Sequence, residues 1–289
     1  MAQLKKPTTY QEQLNILESR NLVIDSRDHC AEILESINYY RFTAYLLPFK
    51  QKDGSYRVGT TFQRAYRIYE FDRKLRNILF AALEEVEVYL RAKFSYFHAH
   101  KYGEEGYMNP ANYSADLQVE KFDANIKRVI DDNKRSAVVV HHQKRYDGHF
   151  PVWVIMELFT FGMLSRFYSD LTTADQKVLA KDIYQTVPKN ISSWLRCCTD
   201  LRNICAHYGR LYYRKFPATP ANFPVESPQI NQLWGAVLAL HALYPHVSKW
   251  NNGILPALHA LFDEYAADIS LAHIGFPEDW ESQLHMYHH

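Results

Sequence analysis

The sequence feature that most constrains the fold is a long run of helical periodicity, which begins near Thr61 and continues to about residue 100. Strand-like alternation is nearly absent from the chain, and glycine occurs only ten times in 289 residues. The apolar residues of the long run recur at steps of three and four, the spacing that places side chains on one face of a helix: Ile68, Leu75, Ile78, Leu79, Ala82, Val86 and Tyr89. The sequence therefore predicts an all-α fold built as a helical bundle.

Capping residues and prolines divide the rest of the chain into further helices. Thr9 and Glu12 form the pattern of a capping box at the start of a helix that reaches about residue 20. Gly54 lies in a polar turn, residues 52–55, where a short hairpin fits best. The other predicted helices span about 26–35, 38–47, 117–132, 151–168, 173–184, 190–214, 229–243 and 253–268. A linker or lid loop is predicted around four prolines, Pro217, Pro220, Pro224 and Pro228.

These elements suggest three parts. An N-terminal helical subdomain, residues 1–60, packs on a helical core, residues 61–216. The proline-rich loop and the C-terminal helices follow in residues 217–289.

Composition limits the classes of function. The formal net charge is +1, so no global field attracts a polyanion and any nucleic-acid site has to be a local patch. The four cysteines contain no C-x-x-C pair, which is typical of a reducing compartment. No stretch reaches the roughly 18 apolar residues of a membrane span, and the N-terminus lacks the apolar run of a signal peptide. We therefore expect a soluble cytoplasmic protein that makes no membrane contact.

The helix predicted at residues 190–214 has two contrasting faces. A stripe at steps of four and three is expected to be buried, namely Trp194, Cys198, Leu201, Cys205, Tyr208 and Tyr212. The other stripe, offset by two residues, comprises Arg196, Asp200, Asn203, His207, Arg210 and Arg214. A solvated face normally mixes both signs of charge, whereas this one has a single acidic residue.

Arg202 and His207 are the residues on this helix with the most specific chemistry. They are five positions apart, about 140° around an ideal helix, so the pair fits a composite site better than a self-contained one. A histidine, which titrates near pH ~6.5, can exchange protons with a ribose 2′-hydroxyl or a leaving 5′-oxygen. A guanidinium can hold the scissile phosphate and stabilise its developing charge. Such a site cleaves RNA without a metal ion, with Asn203 orienting the histidine or the phosphate.

The residues around this pair predict a surface for single-stranded RNA. Phosphates are neutralised by arginine, and bases stack on tyrosine. The candidate substrate-binding residues are Arg196, Arg210, Arg214, Tyr208 and Tyr212. A second group of basic and aromatic residues lies nearer the N-terminus and comprises Tyr39, Tyr40, Arg41, Tyr45, Arg64, Tyr66 and Arg67. These residues either belong to the RNA surface or tie the N-terminal helices to the core, and the two interpretations have equal weight.

A structural role for the motif residues is the alternative that spacing alone favours. In it, Arg202 pairs with Asp200 or Glu157, and His207 is a half-buried histidine with satisfied hydrogen bonds. A zinc site could be imagined at Cys197, Cys198, Cys205 and His207. It is disfavoured, because these residues lack the close C-x₂₋₄-C spacing of structural zinc sites.

The long helix has its own arginine and histidine. Arg91 and His98 could form a second half-site, although a solvated face near a helix end is favoured for Arg91. Glu84 and Glu87 could pair with Arg91 or with an arginine of the motif, and structural pairing is the preferred interpretation.

Four blocks of sequence, in a fixed order over about residues 10–215, resemble one known family. The first is INYYRF at residues 37–42, with Tyr45 and the PF pair at 48–49. The second is FDRKLR at 71–76, followed by Glu84, Glu87 and Arg91. The third is FPVWV at 150–154 with Glu157 and FGMLS at 161–165, and the fourth is RN at 202–203 with AH at 206–207. Together these blocks resemble the Abi-like (AbiD/AbiF) abortive-infection family.

This resemblance implies a HEPN-like helical core with additional N- and C-terminal helices, a fold in which an Arg–four residues–His motif marks many ribonucleases. Family members are bacterial phage-defence proteins, often toxins restrained by an RNA or protein antitoxin. HEPN nucleases generally cut RNA without a metal or other cofactor and build the active centre from two motif copies, usually in a homodimer. On this pattern Arg202 and His207 are catalytic and Asn203 supports them. Gly209 stands where some HEPN toxins have a tyrosine that is modified, so that regulation is not expected.

Two other functions stay open at this stage. The chain could be a non-catalytic RNA- or protein-binding module of a defence system, in which Arg202 and His207 only grip a ligand. It could also be a structural partner that sequesters a phage protein.

Overall fold

Helices form the fold of this protein in the computed structural model, which describes residue 4, residues 6–223 and residues 230–287. In chain order they are α1 (Tyr10–Glu18), α2 (Arg27–Ser36), α3 (Tyr39–Thr43), α4 (Phe62–Tyr102), α5 (Val119–Asp132), α6 (Ala137–Arg145), α7 (Val152–Ile155), α8 (Phe161–Asp170), α9 (Thr173–Tyr184), α10 (Pro188–Ala206), α11 (Leu233–Leu243), α12 (Val247–Lys249), α13 (Leu255–Glu264) and α14 (Trp280–Leu284). Within these residues β-structure is limited to isolated bridges, one of which joins Lys50 and Tyr56 across the predicted hairpin turn. The all-α prediction is confirmed.

Helix α4 is the longest element, with 41 residues, or about 60 Å at 1.5 Å per residue. The side chain of Thr61 caps its first turn by accepting a hydrogen bond from the Arg64 N–H. The helix ends at Gly103, whose φ of 82° lies in the left-handed region that suits glycine. Most of the predicted apolar face is fully buried, namely Ile68, Leu75, Leu79, Ala82 and Val86. Helices α3, α7, α8, α10, α11 and α13 all pack against α4.

Several predicted helices are divided in the structure or have other limits. The predicted helix 151–168 is two helices, because Phe159 is extended and the Thr160 side chain caps α8 by accepting from the Met163 N–H. The predicted helix 38–47 stops at Thr43 and continues as a 3₁₀ segment that contains Pro48. The predicted helix 253–268 begins with a π turn, Trp250–Ile254, and ends at Glu264.

Buried hydrophobic residues form two clusters. The smaller one joins α1, α2, α3 and the start of α4, and it includes Leu14, Ile33, Phe42 and Phe62. The larger one extends from Tyr45 through the rest of the described chain and includes the apolar faces of α4, α8, α10 and α11. The limits of 1–60, 61–216 and 217–289 stay a prediction.

Candidate functional site

Helix α10 ends earlier than its sequence pattern predicts, at Ala206 and not at residue 214. Tyr208 adopts a left-handed backbone conformation, with a φ of 56°. The Gly209 N–H then donates to Ile204 O (2.7 Å) and the Tyr208 N–H to Cys205 O (3.1 Å), the paired hydrogen bonds of a Schellman motif. A Cβ on Gly209 would lie 3.0 Å from Ile204 Cγ2, so the close approach favours glycine there.

The imidazole of His207 lies at the surface. His207 is the C-cap of α10, its backbone N–H donates to Asn203 O (3.0 Å), and its side chain is exposed. Asn203, one turn earlier on the same side of the helix, is exposed as well. The alternative in which His207 is half-buried is therefore wrong.

The guanidinium of Arg202 is held by a carboxylate of α4. Arg202 Nε lies 3.4 Å from Glu87 Oε2, an ion-pair distance, although the N–H is not aimed well enough to form a hydrogen bond. The other oxygen, Glu87 Oε1, accepts a hydrogen bond of 2.6 Å from Arg91. The predicted partners Asp200 and Glu157 were thus wrong for Arg202, whereas the suggested pairing of Glu87 is confirmed.

The Nε atom of Arg202 is buried, whereas neither of its Nη atoms is among the buried unpaired atoms of the described residues. The Arg202 side chain is 26% exposed, against 11% for Glu87. Within the described residues, neither Nη atom of Arg202 donates a hydrogen bond to another protein group. The guanidinium carbon lies 5.9 Å from the ring centroid of Phe80. Both Nη groups are therefore available to a ligand, in the fork that suits a phosphate.

Arg91 connects this ion pair to a third part of the chain. Besides Glu87, it donates to Phe159 O (2.7 Å) and lies 3.7 Å from Glu157 Oε2. The acceptor, Phe159 O, belongs to the break between α7 and α8. The favoured interpretation of Arg91 as a solvated residue was wrong, because its side chain is only 18% exposed.

The loop after the helix, residues 208–213, is fixed by a buried carboxylate. Asp72, on α4, is fully buried, and its Oδ1 accepts from the N–H groups of Leu211 (3.0 Å) and Tyr212 (2.7 Å). Its Oδ2 accepts from Tyr45 Oη (2.8 Å) and from Arg76. Burial raises the pKa of the Asp72 carboxyl, and the charge of Arg76 opposes that increase. All four contacts are donors, so the carboxyl acts as an acceptor on both oxygens, as its ionised form does.

Two arginines hold the carbonyl groups next to His207. Arg41 donates to Tyr208 O (2.5 Å), and Arg76 donates to Gly209 O (3.1 Å). The two residues that follow His207 are therefore tied to α3 and α4, which gives the imidazole a fixed starting point.

The predicted substrate-binding residues do not all reach the surface. Arg196, Tyr208 and Arg214 are exposed. Arg210 is partly buried, which lowers its pKa, and it donates to the carbonyl groups of Tyr212 (2.6 Å) and residue 213 (3.1 Å). Tyr212 is fully buried, so its assignment to a substrate surface was wrong. Its hydroxyl is engaged inside the protein by His273 Nδ1 (2.7 Å) and by the N–H of residue 270 (2.9 Å).

In the second group of basic and aromatic residues, some side chains tie parts of the protein together and others are exposed. Arg64 and Arg67 hold the segment after α13, since Arg64 donates to Asp268 O (3.0 Å) and Arg67 pairs with the Asp268 carboxylate (3.0 Å). Tyr45 is buried, as described above. Tyr40 is 79% exposed and adjoins Arg41, which contacts the loop beside His207. Of these residues, Arg41 is the one that the structure brings to the loop beside His207.

The possible second half-site on α4 is contradicted. His98 is fully buried, with ring centroids of Tyr102, Tyr113 and Phe167 at 5.0, 5.9 and 5.4 Å. Burial lowers the pKa of His98 to about 4. A neutral imidazole in an aromatic cluster has no access to a substrate.

The three cysteines of α10 face the core. Burial raises the pKa of both Cys197 and Cys205 to about 12, and Cys198 is fully buried between them. In the described part of the chain, no three His, Cys, Asp or Glu side chains are grouped so that they could hold a metal ion. No helix among the same residues has both the length and the apolar character needed to cross a membrane.

The four blocks singled out in the sequence meet at one end of α10. The first contributes Arg41 and Tyr45, and the second contributes Asp72, Arg76, Glu87 and Arg91. The third contributes the break at residue 159, and the fourth is the motif itself. The sequence pattern identified Asp72 and Arg76 as members of a block, but their role in fixing residues 208–213 had no local signal.

Comparison with known proteins agrees with this convergence. The family described as Abi-like protein matches residues 32–213, well over half of the chain. Neither the curated proteins nor the solved structures contain a significant match.

Proposed function

The chain belongs to the Abi-like protein family, which points to a role in abortive infection, and on that premise we propose that it is a cytoplasmic endoribonuclease of phage defence. Its substrate is single-stranded RNA, and the reaction needs no metal ion. The observation that carries the proposal is the pairing of an exposed imidazole at the end of α10 with a guanidinium whose outer edge is unused.

The proposed reaction is a transesterification within the RNA. One imidazole takes the proton of the ribose 2′-hydroxyl while its oxygen attacks the adjacent phosphorus. The bond from phosphorus to the 5′-oxygen breaks, and a second proton donor supplies the leaving oxygen. The products carry a 2′,3′-cyclic phosphate and a 5′-hydroxyl. The Nη groups of Arg202 bind the phosphate oxygens and stabilise the charge that they gain.

A homodimer supplies both the acid and the base. Each chain has one exposed motif histidine, whereas the reaction requires one group that accepts a proton and one that donates it. Two copies of His207 in a shared cleft meet that need, with an Arg202 from either subunit on the phosphate. Glu87 keeps each guanidinium in place between turnovers. A bound antitoxin, RNA or protein, would act by covering this cleft.

Substitutions at the motif test the proposal. We expect His207→Ala to abolish cleavage of single-stranded RNA and toxicity in cells, while wild-type protein cuts in EDTA and leaves cyclic phosphate ends. The matched control is His29→Ala, since His29 is an exposed histidine of α2. Arg202→Lys keeps the charge but loses the fork, so cleavage is expected to fall more than RNA binding. Wild-type activity in His207→Ala would overturn the assignment. RNA binding without any cleavage by wild-type protein would indicate the non-catalytic binding module instead.

Mixed dimers test the composite site. Wild-type chains mixed with His207→Ala chains form a heterodimer whose shared cleft contains one His207, so it lacks either the proton acceptor or the proton donor and is expected to be inactive. Random mixing in equal amounts leaves about a quarter of the dimers with two intact chains, and cleavage should fall to about a quarter of that of the same number of wild-type dimers. Cleavage that falls only to about half, with heterodimers demonstrated by mass, would contradict a cleft that needs both copies of His207.

A further inference from the structure

A polar cleft lies on α10 at the opposite end from His207. Its volume is about 800 Å³, and it is formed by α8, the first half of α10 and the start of the proline-rich segment. Its lining residues are Gly162, Ser165, Arg166, Ser169, Ser192, Ser193, Arg196, Pro217, Ala218 and Thr219. We call it the serine–arginine cleft. The two arginines face it from neighbouring helices.

One wall of the cleft is anchored to α10. Ser193 Oγ donates to Thr219 O (3.1 Å) and accepts from the Ala221 N–H (2.9 Å). Trp194 Nε1 donates to Ala221 O (2.9 Å). Residues 217–221 are therefore held against the first half of the helix and leave His207 uncovered. Of the predicted linker or lid loop, Pro224 and Pro228 lie outside the described residues.

The charge inside the cleft is positive. Among the described residues, its lining contains Arg166 and Arg196 and no carboxylate. Asp170 and Asp200 lie one turn further along each helix, but among described residues neither arginine has a carboxylate oxygen within the 4.0 Å of an ion pair. Ser193 and Ser169 already donate their hydroxyl protons to Thr219 O and Ser165 O. The donors left for phosphate oxygens are the hydroxyls of Ser165 and Ser192 and the two guanidinium groups.

The cleft and the motif lie on the same face of α10. From Arg196 the solvent-facing side of α10 passes Asp200 and Asn203 and ends at His207. Arg214 lies along the same path, since its charge and that of Arg196 both act to lower the pKa of Asp200, which burial raises. Arg196 and His207 are eleven positions apart, about 16 Å along a helix. That distance is more than one nucleotide of an extended strand.

From these observations we propose that the serine–arginine cleft binds the phosphate backbone of the RNA strand at nucleotides beyond the scissile one. This proposal rests on the proposed function, because it uses the same RNA and extends its path from the motif. Arg166 and Arg196 contact phosphates, and the hydroxyls of Ser165 and Ser192 donate to the same oxygens. The cleft reads no base, so it favours long single strands over short ones without sequence preference.

Binding of oligouridylate to the full-length chain tests this proposal. The inactive His207→Ala protein is titrated with strands of about 4 and about 16 nucleotides, which bracket the site sizes of known single-strand-binding folds. In this background, Arg166→Ala with Arg196→Ala is expected to weaken binding of the long strand and to leave the short strand unchanged. The loss of two phosphate contacts should reduce the slope of log affinity against log salt by about 1.4. The matched control is Arg135→Ala with Arg145→Ala, two exposed arginines elsewhere.

The outcomes separate this proposal from the proposed function. The proposed RNA binding in the cleft is supported if the Arg166→Ala and Arg196→Ala variant alone binds the long strand more weakly and with a smaller dependence on salt. This holds even if wild-type protein never cuts RNA. If the affinity and the salt dependence of the cleft variant are unchanged, the proposal that the cleft binds RNA is wrong. The proposed ribonuclease function still stands in that case if wild-type protein cuts RNA. An equal loss in the control pair also overturns the proposed RNA binding in the cleft, since the effect would then be one of overall charge. Absence of any RNA binding by wild-type protein overturns both.

Discussion

Replacing Asp72 by asparagine is the change that most directly links the fold to the motif. An amide has one acceptor oxygen and one donor NH₂, whereas the Asp72 carboxylate accepts on both oxygens from four donors. If the amide oxygen keeps the N–H groups of Leu211 and Tyr212, the NH₂ group faces Tyr45 Oη and Arg76, which are themselves donors.

The magnitude follows from the burial of this pair. The side chains of Arg76 and Asp72 are 6% and 0% exposed. Breaking a buried ion pair by removing one charge costs about 3–5 kcal/mol, because the remaining charge stays without its partner. Among the described residues, the hydrogen bond that remains to Arg76 is the one to Gly209 O. Since a native domain is stable by about 5–15 kcal/mol, Asp72→Asn should lose at least about a fifth of the free energy of unfolding.

The assay is urea unfolding followed by circular dichroism, at neutral pH. Tyr45→Phe removes only one hydrogen bond to the same carboxylate and should cost about 1 kcal/mol. Asp268→Asn is the matched control, because its partner Arg67 is 33% exposed and such pairs contribute about 0–1 kcal/mol. Amide hydrogen exchange should accelerate at residues 208–213 in Asp72→Asn more than in the control.

One result would refute this reasoning. If Asp72→Asn costs no more than Tyr45→Phe and leaves exchange at residues 208–213 unchanged, the buried carboxylate does not hold the loop beside His207.

Two further predictions concern the core. His98 has a pKa of about 4 in the folded protein and about 6.5 in the unfolded chain. As the pH falls, the unfolded state therefore binds a proton that the folded state does not. This difference should lower the free energy of unfolding by about 2 kcal/mol between about pH 7.5 and about pH 5. His98→Phe should remove that share in acid-dependent urea unfolding, whereas an equal loss in both proteins would contradict it; substitution of the exposed His285 is the control. Gly235→Ala would place a Cβ 1.9 Å from Ile230 O and should cost about 1–3 kcal/mol. Thermal unfolding checks it against Gly253→Ala, which meets nothing within 4 Å, and an equal effect of both changes would refute it.

Much of the helical framework was predictable because it depends on residues close in sequence. The capping box of Thr9 and Glu12 is present in the structure, and the apolar face of α4 needed only regular spacing. The end of α10 was not predictable in this way. Polar and apolar residues continue at helical steps to residue 214, but the chain turns at Tyr208 with a left-handed residue that is not a glycine.

The roles of individual residues in the candidate site divide along the same line. The RN and AH pairs at residues 202–203 and 206–207 were visible as a motif, and so was the distance of Arg202 from His207 around the helix. The carboxylate that holds Arg202 was one of several candidates, because ion pairing depends on which helices pack together. Tyr212 belonged to the stripe that its spacing predicted to be buried, whereas Tyr208 of that stripe is 70% exposed. The burial of His98, which removes it from any substrate surface, depends on helix packing.

The sequence by itself determined an all-α chain with one dominant helix and an Arg–His motif in a recognisable family, because periodicity, caps and motif residues are local properties. Only the tertiary structure decided where α10 stops, which carboxylate orients Arg202 and that the motif imidazole is exposed. The physical reason is the distance along the chain over which these contacts act. Asp72 accepts from a backbone group 139 residues away, and such a hydrogen bond exists only once α4 and the end of α10 have packed together.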